Sequence, residues 1–183
     1  MLQVTIPDRP GFEAWDEKNE RFVTVPPVKG ATIQLEHSLI SLSKWESKWH
    51  KSFLTNEQKT LEETIDYIKC MTLTQNVKPE VYENLTDENI KQINDYIGDP
   101  MTATTFREDK NAKRNTERIS SELIYYWMIA LNIPFECQKW HLNRLLTLVR
   151  VCNVKNEPPK KMGKSELYKH HAAVNAARRK KKP

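Results

Sequence analysis

An α+β fold, mostly helical, is what the sequence predicts: a small N-terminal β-hairpin or three-strand region, a helical bundle, then a basic C-terminal helix and tail. Three observations carry this. Leu2, Val4 and Ile6 alternate with Gln3 and Thr5, the period-two pattern of a half-buried strand. From Ser38 onward the apolar residues recur instead at spacings of three and four, the helical period. Four glycines in 183 residues are too few for a turn-rich all-β fold or a glycine-rich phosphate loop. The predicted organisation is a β region over 1–36, a helical core domain over 37–156, and a basic helix and tail over 157–183.

Within the β region, two further runs rich in β-formers follow the first, 22–25 and 31–35. The polar residues Asp16 to Asn19 between Trp15 and Phe22 predict a hairpin turn, and Pro26, Pro27 and Gly30 break the next connection. Such a sheet is small enough to serve only as a flap or a packing layer for the helices.

Leu42, Trp45, Trp49 and Phe53 form the stripe of a first helix. Thr55 with Gln58 three residues on fits a capping box and predicts the start of a second helix, through Leu61, Ile65, Ile68 and Met71. Residues 74–78 read as a linker closed by Pro79. A third helix starts at Thr86, turns Ile90, Ile93 and Ile97 inward, and stops at Gly98 to Pro100. The polar, aperiodic residues 101–118 predict a surface loop.

The stretch 120–156 holds the densest apolar run of the chain, and the rest is organised around it. Ser120 and Ser121 are good N-cap residues for a helix, with Glu122 at the positive end of its dipole. Pro134 cannot continue that helix and biases Ile133 away from helical geometry, so the break falls at Asn132 to Pro134. Beyond it Leu142, Leu145, Leu146, Val149 and Cys152 share one side of a helix, leaving Lys139, Arg144 and Arg150 for water. A last, weakly amphipathic helix is predicted after Ser165, followed by the basic run from Arg178.

The net charge of +5 is unevenly placed. Residues 155–183 carry ten basic and two acidic side chains, whereas 1–154 carry 19 basic and 22 acidic. The high isoelectric point therefore belongs to the tail, and a nucleic-acid surface spread over the whole chain is not implied. Three widely spaced cysteines, Cys70, Cys137 and Cys152, without a CxxC pair predict reduced thiols in an intracellular protein. The first residues lack a signal-peptide pattern, and no apolar run is long enough to span a bilayer, which predicts a soluble, unexported chain.

Catalytic signatures are missing: no Walker loop, dinucleotide fingerprint, HExxH or nucleophile elbow occurs. Cys137 and His141 are four apart, a spacing that on one helix places two metal ligands on one face. A zinc site would need two more, with His37 or His50 brought from afar, so buried packing positions are the plainer expectation. The same residues lack anything to mark an activated thiol or an oxyanion hole. Glu62, Glu63, Asp66, Asp87 and Glu88 fall in first turns and polar faces, where they suit the helix dipole better than acid–base work. No enzyme activity, cofactor or metal is expected.

A protein partner is expected instead. Five tryptophans, Trp15, Trp45, Trp49, Trp127 and Trp140, are many to bury in a chain of this size. Wherever the core leaves the Trp45/Trp49 stripe or the Tyr125, Tyr126, Trp127 and Trp140 cluster open, a partner helix has a surface to dock on. Self-association would cover such a surface equally well. The cations Lys160, Lys161, Arg178, Arg179, Lys180, Lys181 and Lys182 form an electrostatic tail suited to an acidic partner, or less favourably to nucleic-acid phosphates.

The run LIYYWMIALNIPFECQKWHLNRLLTLVRVCNVKNEPPKKM, Leu123 to Met162, together with the alanine-rich basic end AAVNAARRKKKP, resembles tail assembly chaperones and related tail morphogenesis proteins of tailed bacteriophages. The resemblance covers about a third of the chain and does not extend to residues 1–119. It implies a non-enzymatic protein of the host cytoplasm that binds the tape-measure protein, keeps its helical segments soluble, and helps deliver tail-tube subunits. The N-terminal strands depart from an all-helical chaperone. They leave open a subunit of the finished virion, such as a tail or head–tail connector protein.

Overall fold

The structure is a computed structural model that describes residues 1–55, 57–106, 118–156, 168–169 and 171–174. Four strands, β1 (Leu2–Ile6), β2 (Phe12–Asp16), β3 (Arg21–Val25) and β4 (Ala31–Leu35), precede five α-helices. These are α1 (Leu39–Trp49), α2 (Leu61–Met71), α3 (Asp87–Gly98), α4 (Ser121–Ala130) and α5 (Leu142–Asn156). Two 3₁₀ helices, Pro79–Asn84 and Phe135–Lys139, complete the described elements. The fold is a mixed α+β one. One compact unit spans Met1–Cys152, and Asn153–Pro183 forms a second. In the second, Tyr168 and residues 171–174 are helical, whereas the predicted cap Ser165 lies outside the described residues.

The three predicted strands are joined by a fourth, β2, and the four pair in two antiparallel couples, β1 with β4 and β2 with β3. The couples are one long ribbon interrupted by prolines. Arg9 and Val28 exchange backbone hydrogen bonds of 2.8 and 2.9 Å between them, but Pro7, Pro10, Pro26 and Pro27 lack the N–H that would complete the ladder. At this pinch a β-carbon on Gly30 would lie 2.2 Å from the Ile6 carbonyl oxygen, so no side chain fits there.

The base of the ribbon is no separate domain. Val4, Ile6, Ile33 and Leu35 turn inward and share a core with Trp45, Tyr67, Ile68, Met71, Ile93 and Tyr96 of α1, α2 and α3. A second core joins Leu39 and Leu42 of α1 to Ile124 and Met128 of α4 and to Leu142, Leu145 and Val149 of α5. The helices thus divide between two cores, with α1 facing both and α3 lying against β1. Phe53, half-buried just beyond α1, packs against both.

Local starts and stops follow the residue chemistry. Ser38, Thr60 and Thr86 each accept a hydrogen bond from the backbone three residues on, as N-caps do. The second helix begins at Thr60 and not at Thr55. Thr60 forms the capping box with Glu63, and Glu63 is held by Lys51 at 2.5 Å, a partner no local pattern reveals. The linker after α2 ends in an unforeseen 3₁₀ turn that Pro79 opens.

The two ends of α4 are fixed from outside it. Its buried neighbour Glu46 accepts hydrogen bonds from the Ser121 N–H at 2.7 Å and the Phe53 N–H at 2.9 Å. A carboxylate at the first turn of α4 meets the positive end of its dipole and satisfies a donor the helix cannot. The other end stops as predicted, with Asn132 at φ 53° and Pro134 following. The next helix starts later than expected: Phe135–Lys139 is a 3₁₀ turn, and His141 pairs with Ser38 before α5 begins.

Replacing Glu46 with alanine leaves the buried Ser121 N–H and the half-buried Phe53 N–H without their acceptor. Each costs about 1–3 kcal/mol, so Glu46→Ala should lower the unfolding free energy by roughly 3 kcal/mol in urea titration. Glu46→Gln, which keeps one acceptor oxygen, should lose less; equal stability of all three proteins would refute the role of this carboxylate.

Candidate partner-docking face

The predicted aromatic residues separate into structural and exposed ones. Trp45 is 1% exposed, and its indole N–H donates to the Glu63 carbonyl of α2 at 2.9 Å. Trp49 stacks on Trp45 and donates to Asp66 at 2.9 Å, with Lys48 closing the same carboxylate. Both rings fasten α1 to α2, so the Trp45/Trp49 stripe is a packing seam. Tyr125, Trp127 and Trp140 are half-buried along the second core; Tyr125 donates to Gln138 at 2.9 Å, and Arg144 lies over the Trp140 ring at 4.2 Å. Of the six predicted contact residues only Tyr126 is broadly open, at 63% exposed.

Tyr126 has company that the sequence reading missed. Ile129 lies one turn on and is 61% exposed, and Phe135, across the Pro134 break, is 52% exposed with its ring 6.4 Å from Tyr125. The geometry explains the patch. Ile124 and Met128, four apart, point into the second core, so Tyr126 and Ile129 must point away. Every residue of α4 from Leu123 to Ala130 is apolar or aromatic, and a helix apolar on all sides is ordinarily a buried one. That all-round pattern was the available signal for Ile129. Lys139 and Arg144 are exposed nearby in sequence, on the 3₁₀ turn and α5.

The β2–β3 tip of the ribbon is a further open apolar surface. Trp15 and Phe22 pack edge to face at 5.0 Å on one side and are 53% and 69% exposed. Phe12 and Val23 are exposed as well. The predicted cations Lys160, Lys161, Arg178, Arg179, Lys180, Lys181 and Lys182 lie outside the described residues.

Cys137 and His141 do not share a helix face: Cys137 sits in the 3₁₀ turn and His141 just before α5. Burial, with the neighbouring Glu136, pushes the Cys137 thiol up, away from the reactive thiolate. His141 is engaged on both ring nitrogens, one against the Tyr96 carbonyl at 3.0 Å and one accepting from the Asn143 N–H at 3.3 Å. His37, considered as a distant ligand, does approach His141, ring to ring at 5.1 Å, but its Nδ1 pairs with the Tyr67 hydroxyl at 2.5 Å. Among the described residues no three His, Cys, Asp or Glu side chains gather as a metal site, and no helix is long and apolar enough to cross a membrane.

Comparison with protein-family models, curated proteins and solved structures gives no match.

The buried histidine pair makes the joint between the cores acid-sensitive. Burial, then the proximity of His141, pushes His37 down to about 3 from 6.5. The neutral form is thus favoured by folding, and its contribution is complete above pH 6.5 and lost as pH falls from there toward 3. Urea titrations should show stability declining by up to about 1.4 kcal/mol per pH unit across that window. His37→Phe should flatten the decline; an identical slope in the variant would refute the assignment.

Proposed function

We propose that this protein is a non-enzymatic factor of bacteriophage tail morphogenesis that holds an apolar helical segment of a structural partner, such as the tape-measure protein, on the outer face of α4. The observation that carries this is the open side of a helix that is apolar from Leu123 to Ala130: Tyr126 and Ile129, continued by Phe135. A face of this kind suits an amphipathic helix, whose apolar residues would lie along Tyr126 and Ile129. The resemblance of Leu123 to Met162 to tail assembly chaperones supports the choice of client, because the run includes α4 and the turn that follows it.

The chemistry asked of such a factor is binding alone. Masking the apolar side of an unassembled client lowers its free concentration and slows its aggregation. Tyrosine suits a surface that must be wet when empty and dry when filled, because the ring packs and the hydroxyl stays hydrated. Lys139 and Arg144 would draw in an acidic client. A subunit retained in the virion is the second reading, favoured by the uncovered β2–β3 tip, since a permanent neighbour would cover it.

Co-expression of an aggregation-prone helical tape-measure segment tests the proposal. Wild-type protein should keep the segment soluble, and the triple variant Tyr126→Ser, Ile129→Ser, Phe135→Ser should lose most of that effect while its own circular dichroism is unchanged. Undiminished solubilisation by the variant would sink the α4 face as the client site. Counting copies in purified virions against infected-cell lysate separates the two readings: a chaperone is abundant in lysate and missing from particles, whereas a subunit has a fixed number per particle.

A further inference from the structure

The chain treats its two small sheets differently. The β1–β4 base has both outer edges occupied. On the β4 side Leu73 N–H donates to the Gln34 carbonyl at 2.8 Å, and Glu36 N–H donates to Met71 at 3.0 Å. On the β1 side the Asn89 amide donates to the Thr5 carbonyl at 3.3 Å. Among the described residues the β2–β3 tip has no such cover: each strand pairs only with the other, and no helix packs closely on the hairpin. A two-stranded hairpin alone is marginal in water, and open edges are normally blunted by proline, bulges or several charges. β3, Arg-Phe-Val-Thr-Val, has none of these within it except Arg21.

We propose that β3 pairs antiparallel with β3 of a second copy of this chain, about Val23, extending two hairpins into one four-stranded sheet. The charge pattern selects this occupant and this strand. Pairing about Val23 sets Phe22 opposite Thr24 and Arg21 opposite Val25, so the two arginines stand about 14 Å apart, beyond strong repulsion in salt. The outer edge of β2 is unsuitable. Pairing it about Ala14 would bring the two Glu13 carboxylates to about 8 Å on one face, with both Asp16 on the same edge. On the β3 axis, by contrast, the two Phe22 rings become diagonal neighbours, within reach of each other. Trp15 already lies against Phe22, so four rings form a row across the new sheet. Phe22, the most exposed ring of the tip, is covered. The contact is twofold and closes on itself, so it gives a dimer and no filament. It is independent of the α4 face.

Sedimentation of the full-length protein over a concentration series tests this. Wild type should form a dimer, and Val23→Lys, which opposes two ammonium groups at the axis, should weaken it about tenfold or more. Val23→Cys should trap a covalent dimer under mild oxidation, and Ala14→Cys on the other strand should not. The Tyr126→Ser, Ile129→Ser, Phe135→Ser variant should dimerise like wild type, which separates this contact from client binding. A wild type that stays monomeric at every concentration overturns the proposal. So does a dimer that survives Val23→Lys while Val23→Cys fails to cross-link.

Discussion

The carboxylate of Glu46 is the constraint on which the geometry of this molecule rests. It sits in α1 and binds backbone N–H groups from two directions, Phe53 just after the helix and Ser121 far along the chain. His50, at φ 53°, reverses the chain so that Phe53 can return to it. Ser52 adds a second tie by donating to the Ile119 carbonyl at 2.6 Å. Through these contacts the start of α4 is pinned to the end of α1. With its inner side held by Ile124 and Met128, the helix has only one way to present Tyr126 and Ile129. Phe53, drawn in by the same carboxylate, stacks on Tyr67 at 3.7 Å and joins the two cores.

Much of this was legible from residue chemistry because it is local. Alternation marked β1, the Thr86 cap and the Gly98 to Pro100 stop bounded α3, and Pro134 ended α4 where expected. What escaped depends on partners distant in sequence. Thr55 to Gln58 and Thr60 to Glu63 both satisfy the capping pattern; Lys51 and the Trp45 indole settle the choice by holding Glu63. β2 carries Glu13 and Asp16 among five residues, a composition with little strand preference, and is a strand because β3 pairs with it. Ser38 pairs with His141, which holds that residue in extended geometry and delays α5.

The candidate face shows the same limit. Helical periodicity grouped Trp45 and Trp49 correctly, but a stripe says only that a face is covered, not by what. Here α2 covers it, through two indole N–H groups that find acceptors on that helix. Tyr126 and Ile129, left outside on α4, belong to a segment without a polar side, and such a segment gives no sequence clue to which side is inward. That choice is made by α1 and α5, which meet α4 from one direction.

The proline-interrupted ribbon has a mechanical consequence. Its base is welded into the first core, whereas across Pro7, Pro10, Pro26 and Pro27 the Arg9–Val28 pair alone continues the ladder, beside a Gly30 N–H that donates to the Asp8 carboxylate. Bending concentrates where the ladder is thinnest, so a load applied at the Glu17–Glu20 turn deflects the tip before it disturbs a buried residue. The tip is thus a short lever on a fixed mount, and bending it leaves the packing of the mount intact.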